Sequence, residues 1–315
     1  MCPQIISDNL CRSKMLKKTV WAVGGGKGGT GKSFVCSSLA LELAAREGDV
    51  MVIDADLGGP NQHTFLAVRE AKTDLADFVQ KKVSDLAGTA VATPYPGLKL
   101  IKGTENLLFI ANLNHYKKMK MIRQIKALDV RRVILDIGTG SSFNSLDFFL
   151  VANPGILVVT PEPTSIENTY YFLKSCIVRL LKLYMDYYRI QDVVKQIARQ
   201  MEDSSQSIYS FFNTIISEDK NNALLLYRAI KKFRPCLIMN KARDDKDLIL
   251  GQSIAEVVRK YLIVDLDFLG IVPFDDRVHW CLKKFEPFLI KFPDAPASHA
   301  IKGITEKLIA RDAQV

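Results

Sequence analysis

The sequence predicts an α/β fold in which a doubly wound, mostly parallel sheet is flanked by helices and carries a helical insertion. Short apolar runs alternate with segments of helical periodicity along almost all of the 315 residues. Several of these runs are rich in Val, Ile and Leu on both faces, as expected for buried parallel strands. A glycine-rich loop lies between the first predicted strand and the first predicted helix. Ligands of such folds bind at the carboxyl ends of the strands, so we expect the functional site there.

Seven apolar runs are the candidate strands. They are Thr19–Val23, Val50–Asp54, Leu98–Ile101, Val133–Ile137, Gly155–Thr160, Cys236–Asn240 and Asp267–Ile271. Apolar residues at helical spacing fill the intervals, most clearly in three segments. These are Lys32–Arg46, Tyr116–Leu128 and Phe143–Val151.

One long interval interrupts the alternation. About 75 residues separate Thr160 from Cys236, which is more than a standard crossover needs. We therefore expect a helical elaboration at about 175–232, inside one domain of residues 18–315 that follows an N-terminal extension of residues 1–17. This elaboration is either a surface that recognises a partner or an extended crossover layer, and the sequence leaves both readings open.

The glycine-rich loop matches the phosphate-binding pattern G-x-x-x-x-G-K-[ST]. In such a loop the backbone N–H groups and the helix N-terminus surround the phosphates. Lys32 is expected to reach the β- and γ-phosphates, and the Ser33 hydroxyl is expected to bind Mg²⁺. The predicted nucleotide-binding residues of the loop are Gly26, Lys27, Gly28, Gly29, Thr30, Gly31, Lys32 and Ser33.

The same residues also contain a weaker pattern. Gly24, Gly26 and Gly29 match the dinucleotide fingerprint G-x-G-x-x-G, with acidic residues at Asp54 and Asp56 further on. That fingerprint has no use for a Gly-Lys-Ser at the start of the helix, whereas a phosphate loop requires it. The sequence therefore favours a P-loop nucleotide-binding protein.

Carboxylates follow two other predicted strands. Asp54 and Asp56 end the second strand, as in a switch segment that senses the γ-phosphate and Mg²⁺. Asp136 fits a Walker B aspartate that holds the metal or its water, and the Gly140 N–H is expected to approach the γ-phosphate. Each aspartate alone has the alternative of an ordinary strand-end residue.

Lys27 is a second lysine in a loop that already has Lys32. Two cations in one cradle repel each other unless one of them points elsewhere. The simplest explanation is that Lys27 reaches a nucleotide on a facing subunit. A surface lysine before a glycine pair remains the alternative.

The run from Lys27 to Ser33 resembles the deviant Walker A motif K-G-G-x-G-K-[ST] of the MinD/ParA family of P-loop ATPases. Further matching segments are Asp54–Asn61, Asp136–Gly140 and 160–165, and the similarity covers about residues 18–310 apart from the elaboration. Within the family, the chain looks most like FlhG (FleN)-type MinD relatives, which help to control flagellar number and placement.

This resemblance implies specific roles. ATP and Mg²⁺ are the implied ligands, and the active form is an ATP-sandwich homodimer in which Lys27 contacts the partner's phosphates. Asp56 matches the residue that positions the attacking water, so Lys27, Lys32 and Asp56 are the candidate catalytic residues. The implied metal-site residues are Ser33, Asp56 and Asp136. The implied nucleotide contacts outside the loop are Asn61, Gly140, Asn240 and Pro273.

The chemistry of the base-reading segment favours ATP over GTP. Residues 240–243 resemble the guanine-reading pattern N-K-x-D, but the fourth position is Arg243. A carboxylate there accepts the two edge donors of guanine, whereas a guanidinium has no acceptor.

The charge balance bears on the choice of partner. The formal net charge is +9, which favours contact with anionic surfaces. Two clusters of basic residues carry much of this charge. The alternative interpretation of each cluster is an ordinary solvated helix face. The clustered residues are Lys117, Lys118, Lys120, Arg123, Lys126, Arg131, Arg132, Lys231, Lys232 and Arg234.

The expected location is the cytoplasm, with peripheral association at a membrane or nucleoid left open. The 6 cysteines include no C-x-x-C pair, which suits a reducing compartment and argues against iron–sulfur carriers of this family. Ile301, Ile304 and Leu308 form an apolar stripe, which we interpret as a final core-packing helix rather than a membrane anchor. Residues 1–18 contain no convincing copy of the activation helix of FlhG relatives.

Together these features predict a slow, partner-stimulated ATPase that dimerises on ATP and positions a cellular structure such as a flagellum. The second hypothesis is a ParA-like protein whose ATP state binds DNA non-specifically, supported by the net charge. A metabolic P-loop ligase or kinase is the third.

Overall fold

The computed structural model describes residues 18–56, 59–104, 115–190 and 208–314. Its centre is an 8-stranded sheet in the order β3-β4-β2-β5-β1-β6-β7-β8. The strands are β1 (Thr19–Gly24), β2 (Val50–Ala55), β3 (Ala90–Ala92), β4 (Leu98–Ile101), β5 (Arg132–Ile137), β6 (Gly155–Val159), β7 (Cys236–Ala242) and β8 (Asp267–Pro273). The predicted doubly wound, mostly parallel sheet is confirmed.

All strand pairs are parallel except β3 with β4. In the central register, Val23 pairs with Asp136 and Asp54 also pairs with Asp136. The carboxyl ends of β1, β2 and β5 are therefore adjacent. This register brings the phosphate loop and both predicted aspartate segments to one edge of the sheet.

Helices lie on both faces of the sheet. They are α1 (Lys32–Glu47), α2 (Gln62–Phe65), α3 (Leu75–Val79), α4 (His115–Ala127), α5 (Phe143–Val151), α6 (Pro163–Tyr188), α7 (Ile208–Glu218), α8 (Lys220–Lys232), α9 (Lys246–Leu262), α10 (Arg277–Lys284), α11 (Phe288–Lys291) and α12 (Pro296–Asp312). A short 3₁₀ turn, Ala87–Thr89, precedes β3.

Successive strand residues belong to different hydrophobic cores. In β5, Val133 and Leu135 pack in a core with α4 to α9, whereas Ile134 packs in a core with α1 and α12. Side chains alternate between the two faces of a strand, and both faces are covered by helices. This explains why the strands read as continuous apolar runs.

The helical elaboration packs on one face only. Apolar residues at helical spacing in this segment, Ile177, Leu180, Leu181 and Tyr184, are buried in α6, and α7 and α8 complete the layer. Tyr188, which shares their spacing, lies at the end of α6 and is exposed. The proposed N-terminal extension, residues 1–17, and residues 191–207 of the proposed elaboration lie outside the described residues.

The C-terminal apolar stripe is a core element. Ile301, Ile304 and Leu308 of α12 are buried against α1 and the sheet, as the sequence analysis expected. Among the helices that the structure describes, none combines the length and the apolar character needed to cross a bilayer.

The basic clusters do not form one exposed cationic face. Lys118 and Arg132 are buried. At least five of the ten clustered residues form ion pairs with carboxylates in the part of the chain that the structure describes. The pairs are Lys118 with Asp147, Arg131 and Arg132 with Glu47, Lys231 with Asp265, and Arg234 with Asp267. The surface that supported DNA binding is therefore smaller than the sequence suggested.

Asp147 joins three helices through a buried ion cluster. Its Oδ2 lies 2.5 Å from Lys118 Nζ of α4, and Arg179 Nε of α6 donates to its Oδ1 at 2.7 Å. Asp147 itself lies in α5 and is fully buried. The carboxylate thus balances the charge of two cations, Lys118 and Arg179, whose side chains are largely removed from water.

Replacing Asp147 by alanine is expected to lower the free energy of unfolding by about 3 kcal/mol, because two cations lose their partner. Urea unfolding followed by circular dichroism measures this loss. Lys82→Ala, which breaks the exposed pair with Asp77, is the control and should change stability by less than about 1 kcal/mol. Equal effects of the two changes would show that the buried cluster has no special importance.

Candidate functional site

The phosphate loop connects β1 to α1 and takes a conformation that needs glycine. Gly29 and Gly31 have φ of 75° and 88°, in the left-handed region. A Cβ on Gly31 would lie 2.2 Å from Nδ2 of Asn240, which donates to the Thr30 carbonyl at 2.8 Å. A Cβ on Gly26 would lie 2.0 Å from the Asn168 carbonyl of α6. The loop is therefore held between β7 and the first turns of α6.

A Gly31→Ala change is expected to weaken nucleotide binding by about tenfold or more, since the loop must distort to relieve both the strain and the clash. Titration with a fluorescent ATP analogue measures the affinity. Gly303→Ala is the matched control, because a Cβ there meets open space within α12. Wild-type affinity in the Gly31 variant would mean that the loop conformation is unimportant for binding.

Lys32 lies inside the cradle at the start of α1. It is 6% exposed, and its Nζ donates to the Lys27 carbonyl at 3.0 Å. Burial lowers the pKa of Lys32, while the nearby Asp136 and Asp56 oppose that shift. A buried ammonium with one carbonyl partner is suited to bind an anion entering the loop.

Two buried carboxylates, Asp54 and Asp136, are paired in register at the ends of β2 and β5. Burial raises the pKa of Asp54 well above its ordinary value, and the neighbouring Asp136 raises it further. Burial also raises the pKa of Asp136, against hydrogen bonds from Gln62 and Ser33. A bound cation stabilises the ionised form of such a pair, because it offsets the repulsion between the two carboxylates and their loss of hydration.

Gln62 at the start of α2 joins these groups. Its backbone N–H donates to Asp54 Oδ2 at 2.9 Å, and its Nε2 donates to Asp136 Oδ2 at 2.7 Å and to the Ser33 carbonyl at 3.1 Å. Gln62 is fully buried. It therefore ties the second strand, the fifth strand and the phosphate loop together.

The residues present fit a magnesium nucleotide. Within the described part of the chain, three buried atoms around the loop have no hydrogen-bond partner, namely Thr30 Oγ1, Asn61 Oδ1 and Gln62 Oε1. Oxygen ligands and phosphate groups are what Mg²⁺ prefers, and it usually takes only one or two carboxylates. The described residues contain no cluster of three His, Cys, Asp or Glu side chains that could hold a metal ion alone. The site would complete a Mg²⁺ shell with phosphates.

Asp56 lies where the two aspartate segments meet. Its backbone N–H donates to Asp54 Oδ1 at 3.3 Å. A Cβ on Gly138 would lie 2.5 Å from Asp56 Oδ1, so the side chain covers the backbone just after β5. Unlike Asp54 and Asp136, Asp56 is only partly buried. Residues 57–58 of this segment lie outside the described residues.

Lys27 points away from the cradle. Its Nζ donates to Glu162 Oε2 at 2.8 Å and to Thr164 Oγ1 at 2.6 Å, at the start of α6. The hydrogen bond from Lys27 lowers the pKa of Glu162. About a third of the Lys27 side chain remains exposed. The two lysines of the loop therefore occupy different environments, as the charge argument required.

The ends of β7 and β8 form the side of the site expected to border the base. Asn240 is buried against the loop, and Lys241 Nζ donates to the Gly29 carbonyl at 2.8 Å. Pro273 pairs with Ala242 at the end of β8. The Arg243 guanidinium lies over the Phe274 ring, 4.8 Å from its centroid. An arginine occupies the place where a guanine reader needs a carboxylate.

The structure brings the predicted residues together from four strands. The ends of β1, β2 and β5 carry the loop, Asp56, Asn61, Asp136 and Gly140. Asn240 lies at the neighbouring end of β7. Gly140 has φ of 87° in the turn after β5. Sequence reasoning missed Gln62, Glu162 and Lys241. Glu162 lies in a segment that matched the family, whereas nothing in the sequence marks a glutamine after Asn61.

A mostly parallel sheet with this loop, two buried aspartates and a buried lysine at its carboxyl edge defines a P-loop nucleotide-binding protein. Residues 21–288 match the CobQ/CobB/MinD/ParA nucleotide binding domain. The chain therefore belongs to that family of nucleotide-binding ATPases, and the resemblance found in the sequence is confirmed.

Individual relatives cover most of the chain. It is 26% identical over 294 residues to the antiactivator FleN of Pseudomonas aeruginosa, covering 92% of this chain and 85% of FleN. It is 23% identical over 311 residues to an iron–sulfur cluster carrier protein of Saccharolobus solfataricus, covering 95% of this chain and 85% of the carrier. The fold is similar to MinD of Pyrococcus horikoshii, solved with Mg-ADP, with a TM-score of 0.62 at 17% identity over 93% of this chain and 96% of MinD.

Proposed function

We propose that this protein is an ATP-hydrolysing switch that forms a homodimer on binding ATP and Mg²⁺ and controls the number or placement of flagella. The observation that supports dimerisation most directly is the position of Lys27. Its ammonium group lies at the mouth of the site, bonded to Glu162 and Thr164 rather than directed into its own cradle. We infer that this ammonium group contacts a nucleotide bound to a second copy of the chain.

The roles of the other residues follow from their burial and contacts. We infer that Lys32 leaves the Lys27 carbonyl and holds the β- and γ-phosphates. Ser33 and Asp136 would hold Mg²⁺, which neutralises charge on the phosphates when bound. Asp56, the accessible carboxylate of the three, would position the attacking water. Asn61 and the Gly140 N–H would contact the γ-phosphate region, and Pro273 would border the base.

The choice of ATP rests on the base side of the site. Arg243 is held over Phe274 and has no acceptor for the edge donors of guanine. A competition titration with GTP tests this assignment. ATP is expected to displace a fluorescent analogue at lower concentration than GTP, and the reverse order would contradict it.

The flagellar role rests on the similarity to FleN and on the FlhG-like segments of the sequence. Iron–sulfur cluster carriers also match, but the 6 cysteines of this chain include no C-x-x-C pair. Of these cysteines, Cys36, Cys176, Cys236 and Cys281 are buried and widely separated in sequence. A DNA-coating role has less support, because much of the clustered positive charge is neutralised within the chain.

Light scattering with ATP, with ADP and without nucleotide tests the switch. We expect dimers with ATP and Mg²⁺, and monomers with ADP. Phosphate release should be slow and should require Mg²⁺. A monomer under all three conditions would overturn the dimer proposal. Counting flagella on cells that lack the protein tests the cellular role, and normal number and placement would contradict it.

A further inference from the structure

Gln62 is a buried glutamine that bonds to both residues of the proposed metal site. Its side chain is fully buried at the start of α2. Its Nε2 donates to Asp136 Oδ2 at 2.7 Å and to the Ser33 carbonyl at 3.1 Å. Ser33 and Asp136 have proposed roles toward Mg²⁺, whereas Gln62, which contacts each of them, has none.

The hydrogen bonds of Gln62 fix the orientation of its carboxamide. A backbone carbonyl can only accept a hydrogen bond, so the NH₂ group of Gln62 must face Ser33. The Oε1 atom is then the other end of the amide, and among the described residues it is buried without a hydrogen-bond partner. Buried polar atoms of folded proteins are nearly always hydrogen-bonded. We therefore expect a donor from outside the chain to reach Oε1.

The chemistry of the site limits what this donor can be. Ionised phosphate oxygens accept hydrogen bonds, so the nucleotide phosphates cannot be the partner of Oε1. Mg²⁺ gives up its water ligands reluctantly and usually keeps several of them. Each of these waters carries donor hydrogens. A water of the Mg²⁺ shell is therefore a suitable donor beside a site that contains Ser33 and Asp136.

We propose that Gln62 is a positioning residue for Mg²⁺. Its Nε2 holds the Asp136 carboxylate in one orientation, and its Oε1 accepts a hydrogen bond from a water of the metal shell. Residues behind the direct ligands of a metal commonly orient those ligands and raise the affinity for the metal. This role rests on the proposed assignment of Ser33 and Asp136 to Mg²⁺, and it adds the residue that orients the carboxylate.

A purely structural role is the competing explanation. Gln62 also donates its backbone N–H to Asp54 Oδ2 at 2.9 Å, and its side chain satisfies one oxygen of the buried Asp136. In that case the side chain would stabilise the fold equally with and without metal. The unpartnered Oε1 favours the metal role, because a purely structural amide is expected to use its acceptor as well as its donors.

Mn²⁺ binding to the full chain in the presence of ADP tests this role. Mn²⁺ prefers the same octahedral oxygen ligands as Mg²⁺, and the electron paramagnetic resonance signal of free Mn²⁺ falls as the ion binds. Gln62→Leu keeps a similar volume and removes both the donors and the acceptor. We expect this change to weaken Mn²⁺ binding to the ADP complex by about 10- to 100-fold.

Two comparisons make the result specific to the metal. The affinity of the Gln62→Leu protein for ADP in EDTA should stay close to that of the wild type. Gln124→Leu, the same change at a partly buried glutamine of α4, is the control and should leave both affinities unchanged. Gln62→Met, unbranched and of similar length, repeats the measurement, and thermal melting without ligand checks that each variant is folded.

Wild-type Mn²⁺ affinity in the Gln62→Leu protein would overturn the proposal. An equal loss of ADP affinity in EDTA, or failure of both Gln62 variants to fold, would also overturn it, since the side chain would then have a structural role. Mn²⁺ binding with ADP requires no dimer, so this result is independent of the ATP switch. A wild-type protein that binds ADP but not Mn²⁺ would contradict the assignment of Ser33 and Asp136 to the metal, and with it the role of Gln62.

Discussion

Replacing Lys27 by alanine is expected to abolish the ATP-dependent dimer while leaving nucleotide binding nearly unchanged. The ammonium group of Lys27 bonds to Glu162 and Thr164 and takes no part in the cradle around Lys32. Its removal therefore leaves the monomer's binding loop intact. The dimer would lose a charge-assisted contact to a phosphate, and its dissociation constant should rise by about 100-fold or more.

Light scattering and titration with a fluorescent ATP analogue separate the two effects. Glu162→Gln is an informative companion, because it removes the carboxylate that competes for Lys27 in the monomer. Dimerisation of that variant should be equal to or stronger than that of the wild type. Lys220→Ala, a change of the same kind on α8, controls for loss of surface charge. ATP-dependent dimers of the Lys27 variant would rule out its cross-subunit role.

Replacing Asp56 by asparagine is expected to lower the ATPase rate by about 10² to 10⁴-fold and to leave the ATP dimer in place. Three carboxylates lie at the ends of β2 and β5, but Asp54 and Asp136 are buried and bonded to Gln62. Asp56 is the partly exposed member and lies against Gly138, where the two aspartate segments meet. It is therefore the group best placed to orient water.

Single-turnover phosphate release measures the chemical step, and light scattering measures the lifetime of the dimer. The variant should remain a dimer after ATP addition for much longer than the wild type. Thermal melting with ATP checks that the site still binds its ligand. Unchanged turnover would remove Asp56 from the mechanism, and loss of ATP binding would assign it a structural role instead.

The sequence was a good guide to the sheet because its strands are buried on both faces. Every predicted strand is present, and all of their bounds agree within two residues. β3 was missed, because an antiparallel edge strand of 3 residues is too short to show a recognisable alternation of apolar and polar residues. The basic clusters could not be interpreted from spacing alone. Lys118 and Asp147 are 29 positions apart in the sequence, and their pairing depends on how α4 and α5 pack.

The candidate site was predictable as far as its motifs are local. Lys32, Ser33, Asp54 and Asp136 belong to short patterns whose chemistry is defined by spacing. The contacts that orient them connect distant segments, as Lys27 and Glu162 are separated by 135 positions. Gln62 illustrates the limit, because a neutral amide becomes significant only when three partners surround it.

The separation of the two hydrophobic cores has a consequence for sequence variation. Beyond its first turns, α6 packs with α7 and α8 in one core, while α1 and α12 pack in the other. Substitutions in the outer part of the elaboration can therefore reshape that surface without disturbing the packing of the phosphate-loop helix. We therefore expect the sequence to vary more in the core that contains α7 and α8 than in the core that contains the phosphate-loop helix α1.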